Sequence, residues 1–216
     1  MRTLIPAILL SGICLVLVWR HLGPVLFFLL GGRIRHSGLP AGDPKAPKPK
    51  GPMIEAFEEM GFTFLGIRTE RLGLIWGRQS LVLVRNDGTI ADLASPDRLA
   101  GAYLAGFWKN GACVITKAEG RREVQTDDYR SACLPTKNPA DLLAAHFRNE
   151  QAVLAAWQDQ ADKLVPASME ERLDLARQWW QRNRKAEFAL PAAIGALFTA
   201  ASLALWAYGL WYLSLP

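Results

Sequence analysis

Phe188–Pro216 reads FALPAAIGALFTAASLALWAYGLWYLSLP, 29 residues without one charged side chain. A helix needs about 20 apolar residues to cross a hydrocarbon layer of roughly 30 Å. Residues 188–212 would reach about 37 Å at about 1.5 Å per residue, enough to cross with some tilt. Trp206, Trp211 and Tyr212 cluster at the far end, and Trp179 and Trp180 precede the near end, as interfacial aromatics do. The stretch therefore predicts a C-terminal membrane span. Ala192, Ala196, Ala200 and Ala204 recur every fourth residue and predict a ridge of small side chains where another helix can approach.

The N-terminal end is apolar too. Residues 3–19 carry no charge, Arg20 and His21 follow, and Leu22–Gly32 (LGPVLFFLLGG) is again apolar. We expect a crossing over 3–19 with Arg20 at the interface, and an apolar elbow after Gly23-Pro24. One kinked helix through 3–32 is the alternative, at a cost of about 2.5–3.5 kcal/mol for a central Arg. Ala7, Ser11 and Cys14 are small residues on one face. They are expected to meet Ala192, Ala196, Ala200 and Ala204 within one chain.

Between these ends lie all 20 acidic residues of the chain, from Asp43 to Glu187. Residues 33–187 hold 23 basic and 20 acidic side chains, so the overall +5 charge is no nucleic-acid stripe. No nucleic-acid partner is expected, and the composition excludes a disordered, collagen-like or disulfide-rich chain. Basic residues flank both spans on the side of this middle segment. The positive-inside rule then predicts a cytoplasmic middle domain and two extracytoplasmic termini, as in a bacterial-type inner membrane.

The domain pattern is α+β: an antiparallel meander of about five to seven short strands, covered by one or two helices. Residues 33–52, rich in Pro and Lys, are expected to form an extended linker. Arg33, Arg35, Lys45, Lys48, Lys50, Arg182, Arg184 and Lys185 are possible contacts for anionic headgroups. Met53–Met60 predicts a short helix ended by Gly61. Strand-like runs follow over Phe62–Arg68, Leu72–Trp76, Ser80–Arg85, Thr89–Leu93, Ala102–Lys109, Ala112–Ala118 and Arg121–Gln125. Asn110-Gly111 predicts a tight hairpin that pairs Trp108 with Cys113 and Phe107 with Val114.

Pro139–Leu164 predicts a helix, with Leu143, Phe147, Leu154, Trp157, Ala161 and Leu164 as its apolar stripe. Ser168 with Glu171 forms a capping box. The helix it starts is expected to run unbroken into the C-terminal span.

Chemistry is harder to find. The sequence holds no Walker loop, dinucleotide fingerprint, Gly-x-Ser-x-Gly elbow or His-Glu-x-x-His. Cys113 and Cys133 read as reduced, buried thiols. His146 reads as a helix-surface or hydrogen-bonded residue, Asp127-Asp128 as turn residues, and Arg121-Arg122 as a solvated edge. No catalytic, cofactor or metal residues are assigned, and no cofactor is expected. The reading is an integral membrane protein acting as a non-enzymatic tethered module that binds a partner protein or organises a membrane complex. The alternatives are a module facing anionic lipid, and a membrane enzyme using His146 or Asp127 and Asp128. The sequence leaves the oligomeric state open.

Overall fold

The computed structural model describes residues 4–45, 49–73, 76–120, 122–157 and 162–214. The chain divides into Met1–Gly32 with Glu187–Pro216, and Arg33–Ala186.

The first unit is built from two helices. The first, α1 (Leu4–Leu30), is continuous, with Pro24 inside it. This corrects the expected break at Gly23-Pro24. Pro24 deletes one amide donor, but the apolar residues on either side keep the helical pattern. The partner helix belongs to α5 (Arg184–Ser214). Both are long and apolar enough to cross a membrane.

They pack antiparallel: Leu10 lies against Gly209, His21 stacks on Phe198 at 4.9 Å, and Phe27 meets Phe188 at 5.4 Å. The approach is close because of glycine. A Cβ on Gly195 would stand 2.4 Å from the His21 carbonyl oxygen, and one on Gly209 2.5 Å from Leu10 Cδ2. Polar contacts join the helices: Trp206 Nε1 donates to Ser11 Oγ at 2.9 Å, and Cys14 Sγ donates to the Ser202 carbonyl at 3.6 Å.

The second unit is a three-layer arrangement around one sheet. Its strands are β1 (Arg35–Pro40), β2 (Phe62–Leu72), β3 (Trp76–Arg85), β4 (Ile90–Leu93), β5 (Tyr103–Phe107), β6 (Cys113–Lys117), β7 (Val124–Gln125) and β8 (Tyr129–Cys133). They lie in the order β1-β2-β3-β4-β5-β6-β8-β7, antiparallel except for β6 beside β8. On one face α2 (Pro52–Glu59) and α3 (Pro139–Trp157) bury Ile54, Phe57, Leu142 and Leu143 against Phe62, Phe64, Leu83 and Leu104. On the other, α4 (Met169–Arg182) buries Met169, Leu173 and Leu175 against Val82, Ile90, Phe107 and Tyr129.

The α+β class is as expected; the pure meander is not. Residues 35–40, expected within a linker, form the edge strand β1. Leu72 and Trp76, expected within one strand, instead end β2 and open β3 and face each other across the hairpin; residues 74 and 75 of that expected strand lie outside the described residues. Strand β8 inserts between β6 and β7 because Tyr129, Ser131 and Ala132 supply a buried flank that two residues of β7 do not. At Asn110-Gly111 the loop has three residues, Trp108 N–H donating to the Ala112 carbonyl and Gly111 at φ +89°. That extra residue moves the register, so Phe107 faces Cys113 and Gly106 faces Val114.

Among the described residues the third helix spans Pro139–Trp157, and Leu164, expected at its end, instead bonds to Phe107 through its backbone. The α3 face that packs inward is Leu142, Leu143, Ala145, His146 and Val153, while Leu154 is exposed. The side chain of Trp157, and Ala161, lie outside the described residues. Ser168 caps α4, its Oγ accepting from the Glu171 amide at 3.2 Å, while Glu171 Oε2 accepts from the Ala167 amide at 2.7 Å. A break at Asn183 separates α4 from α5, where one continuous helix was expected.

Candidate functional site

A β-bulge decides which side chains meet α4. Phe64 faces Leu83 and Gly66 faces Val82, so Leu65 has no partner across the ladder. Side chains alternate with period two, and one extra residue inverts the phase. Phe62 and Phe64 therefore point to α2 and α3, whereas Arg68 and Glu70, also even-numbered, point to α4. Gly66 adopts φ +148°, and a Cβ there would stand 2.2 Å from the Leu39 carbonyl oxygen. A side chain at the bulge would push β1 off the sheet.

Under α4 the charged side chains form one buried cluster. Asp92 on β4 is fully buried. Its Oδ1 lies 3.1 Å from Arg68 Nη2 and accepts from Ser80 Oγ at 2.8 Å, while Oδ2 accepts from Arg172 Nη2 of α4 at 2.5 Å. Arg68 also donates to Glu70 Oε1 at 2.8 Å and to the Tyr103 hydroxyl at 2.6 Å. Glu70 Oε1 accepts from Trp180 Nε1 at 2.9 Å, and His36 Nδ1 of β1 lies 3.5 Å from it. Two guanidiniums thus face two carboxylates.

Burial sets these protonation states as much as pairing does. Burial alone would raise the Asp92 carboxyl, but Arg172 and Arg68 reverse that and hold it well below the carboxylate range. Burial would lower Arg68, and Asp92 with Tyr103 and Glu70 more than restores its charge. Burial pushes Tyr103 up to about 12. Burial brings His36 down to about 4, against the pull of Glu70. The imidazole is neutral at pH 7, and the cluster is charge-balanced.

A second sealed network lies under α3. His146 Nδ1 is 3.1 Å from Thr116 Oγ1, and its Nε2 is 2.9 Å from Glu150 Oε1. Lys163 Nζ reaches the same Glu150 oxygen at 2.6 Å and donates to Thr89 Oγ1 at 3.0 Å. The order hydroxyl, imidazole, carboxylate is that of a nucleophile relay. Thr116 and His146 are both 0 % exposed, however, and Asn149 Nδ2 also donates to the Thr116 hydroxyl at 3.0 Å. Burial lowers the His146 pKa despite Glu150. The network staples α3 and the segment around Lys163 onto the sheet.

The residues singled out from sequence are placed as follows. Arg33 ends a short 3-10 turn (Gly31–Arg33), and Arg35 opens β1 opposite Arg71. Arg182, Arg184 and Lys185 close α4 and open α5. These groups reach the same end of the unit, because β1 and α4 run antiparallel: Met169 lies against Gly38, and Trp180 against the Glu70 that pairs with His36. Lys45 and Lys50 follow the opposite end of β1, about 20 Å along the strand. Lys48 and Arg121 lie outside the described residues. Arg122 donates to the Ala186 carbonyl at 3.2 Å. Asp127 and Asp128 are exposed in the β7–β8 turn, where Thr126 Oγ1 donates to Asp128 Oδ1.

Of the small-residue ridge, Ala192 is buried, while Ala196, Ala200 and Ala204 are exposed. Cys14 is buried and Ser11 half-buried against α5. The α5 residues that meet α1 include Gly195, Ser202 and Gly209, a seven-residue repeat visible in the sequence. Cys113 is buried and free, and burial raises its thiol pKa. Among the described residues no three His, Cys, Asp or Glu side chains come together as a metal would need. Comparison with protein-family models, curated proteins and solved structures finds no match.

Proposed function

We propose that the chain is a non-enzymatic, membrane-tethered module. In this reading both apolar helices cross a bilayer, the Arg33–Ala186 unit stands on the cytoplasmic side, and both termini lie on the other. The unit binds a partner protein or holds a membrane complex together.

One observation carries this. The two connections to the apolar helices are clamped on a single carboxylate, Glu70. His36 approaches it from β1, which follows α1 after one short 3-10 turn, and Trp180 donates to it from α4, which precedes α5. The buried cluster under α4 thereby lies where both connections meet the sheet, which supports a tethered platform. Co-purification from gently solubilised membranes tests the reading: a specific, stoichiometric protein partner is expected. Recovery as a lone protomer under several detergents would overturn it.

The basic end of the unit favours a second reading, contact with anionic headgroups through Arg33, Arg35, Arg182, Arg184 and Lys185. Full-length protein in anionic nanodiscs should then show salt-sensitive protection of this end from proteolysis. Equal protection in neutral nanodiscs would remove it.

A further inference from the structure

We propose that Arg20 is the docking point for a transmembrane helix of another protein, one carrying an ionised Asp or Glu at mid-membrane. The proposal deepens the tethered-module reading and rests on both helices crossing a bilayer.

Arg20 is the only permanently charged side chain in α1. The stacking of neighbouring His21 on Phe198 places Arg20 at about the level of Phe198 in α5. Phe198 stands ten residues inside the charge-free stretch that begins at Phe188. That is about 15 Å from one end of the stretch and more than about 20 Å from Ser214. On its own helix, Leu22–Gly32 continues apolar until Arg33. Both helices thus stay apolar well past Arg20 in each direction, deeper than a single arginine side chain snorkels.

Among the described residues this charge has no counter-ion. Among the described residues Arg20 makes no hydrogen bond or ion pair, and it is exposed. The only acid in the two-helix unit is Glu187, next to the Phe188 that meets Phe27, at the end of the pair. Ionisable side chains inside a membrane face a protein interior or pair with a partner. Arg20 does neither within its own chain.

The face that bears it is suited to a helix. α5 occupies the side of α1 marked by Ser11, Cys14 and His21. Arg20 extends a different row, Leu9, Ile13 and Val16, at steps of four, three and four. A shallow apolar groove runs along Leu9, Gly12, Ile13 and Val16, all exposed. A Cβ on Gly12 would meet nothing within 4 Å, so a neighbouring backbone can approach there. The row offers a knobs-into-holes seat that ends on a positive charge.

The test uses the full chain in phosphatidylcholine vesicles, with a donor dye on its N-terminus. Synthetic Leu/Ala helices of about 23 residues carry an acceptor at one end and either Asp or Leu at the centre. The Asp peptide should associate at least tenfold more than the Leu peptide. Arg20→Leu should abolish that preference and Arg20→Lys should keep it, with Cys14–Ser202→Cys crosslinking of α1 to α5 unchanged in both. Equal energy transfer from the two peptides, or a preference that survives Arg20→Leu, would overturn the proposal. So would association that follows added anionic lipid and ignores the peptide's Asp, which would assign Arg20 to headgroup phosphates. A failure here leaves the platform reading to its own co-purification test, since a partner docked on the Arg33–Ala186 unit would still be recovered.

Discussion

Replacing Asp92 with Ala should be the most costly single change in the Arg33–Ala186 unit. Asp92 is 0 % exposed and is the carboxylate shared by Arg68 and Arg172, which are 3 % and 1 % exposed. Its removal leaves Arg68 with Glu70 alone and Arg172 with no carboxylate, and deprives the Ser80 hydroxyl of its acceptor. Breaking a buried pair by removing one partner costs about 3–5 kcal/mol, because the other charge stays desolvated and uncompensated. That is a large part of the roughly 5–15 kcal/mol by which a domain is stable. Urea unfolding in mild detergent, followed by tryptophan fluorescence, reads the cost; Trp180, bonded to Glu70 beside the cluster, is an internal reporter. A double-mutant cycle with Arg172→Met isolates the cause. If uncompensated charge is the penalty, the double variant should be less destabilised than the sum of the singles by at least about 1 kcal/mol. A loss below about 1 kcal/mol for Asp92→Ala, or strict additivity in the cycle, would refute the argument.

Gly66→Ala should destabilise the unit by about 1–3 kcal/mol through the strained φ and the clash with the Leu39 carbonyl. Hydrogen exchange should show β1 opening first, and unchanged protection of its amides would contradict the bulge argument. His36 ordinarily titrates near 6.5 and is held at about 4 in the fold, so the unfolded chain takes up the proton first. Stability is therefore full above about pH 6.5 and falls toward pH 4, by at most about 1.4 kcal/mol per pH unit for this one proton. His146 adds a loss of the same sign. His36→Gln should flatten the profile by one proton's worth, and an unaltered slope would count against the burial of His36. Oxidation of a Ser202→Cys variant should crosslink it to native Cys14 within one chain, and Gly195→Leu should lower that yield. Crosslinks solely between chains would exclude the α1–α5 pairing. Ser168→Ala should cost about 1 kcal/mol of α4 stability, measured by the urea midpoint.

Local chemistry was readable from the residues alone wherever one stretch acts by itself. The uncharged length of 188–214 makes a long apolar helix whatever surrounds it. Ser168 caps a helix because its hydroxyl reaches an amide three residues on. Asp127-Asp128 makes a turn because the partner is a neighbour, Thr126. The α+β class followed from the same kind of evidence, apolar periods and turn residues. What required the tertiary structure depends on residues distant in the chain. Lys45 and Lys50, placed with the headgroup group, separate from Arg33 and Arg35 because residues 35–40 become a strand. No apolar alternation in RHSGLP announces that strand; pairing with β2 and cover from α4 create it. The three-residue loop at Asn110-Gly111 shifts a register that a two-residue loop would have set otherwise. The charge cluster was missed altogether. Its members are His36, Arg68, Glu70, Asp92, Tyr103, Arg172 and Trp180, spread over five elements, and the charged ones look like ordinary surface residues beside their neighbours. The one sequence sign was the loss of phase at Leu65-Gly66, where an alternating strand takes an extra residue. Only the folded sheet shows that this slip turns Arg68 and Glu70 toward α4. Desolvation then makes their pairing obligatory, because burial is a property of the surroundings and no single stretch of chain encodes it.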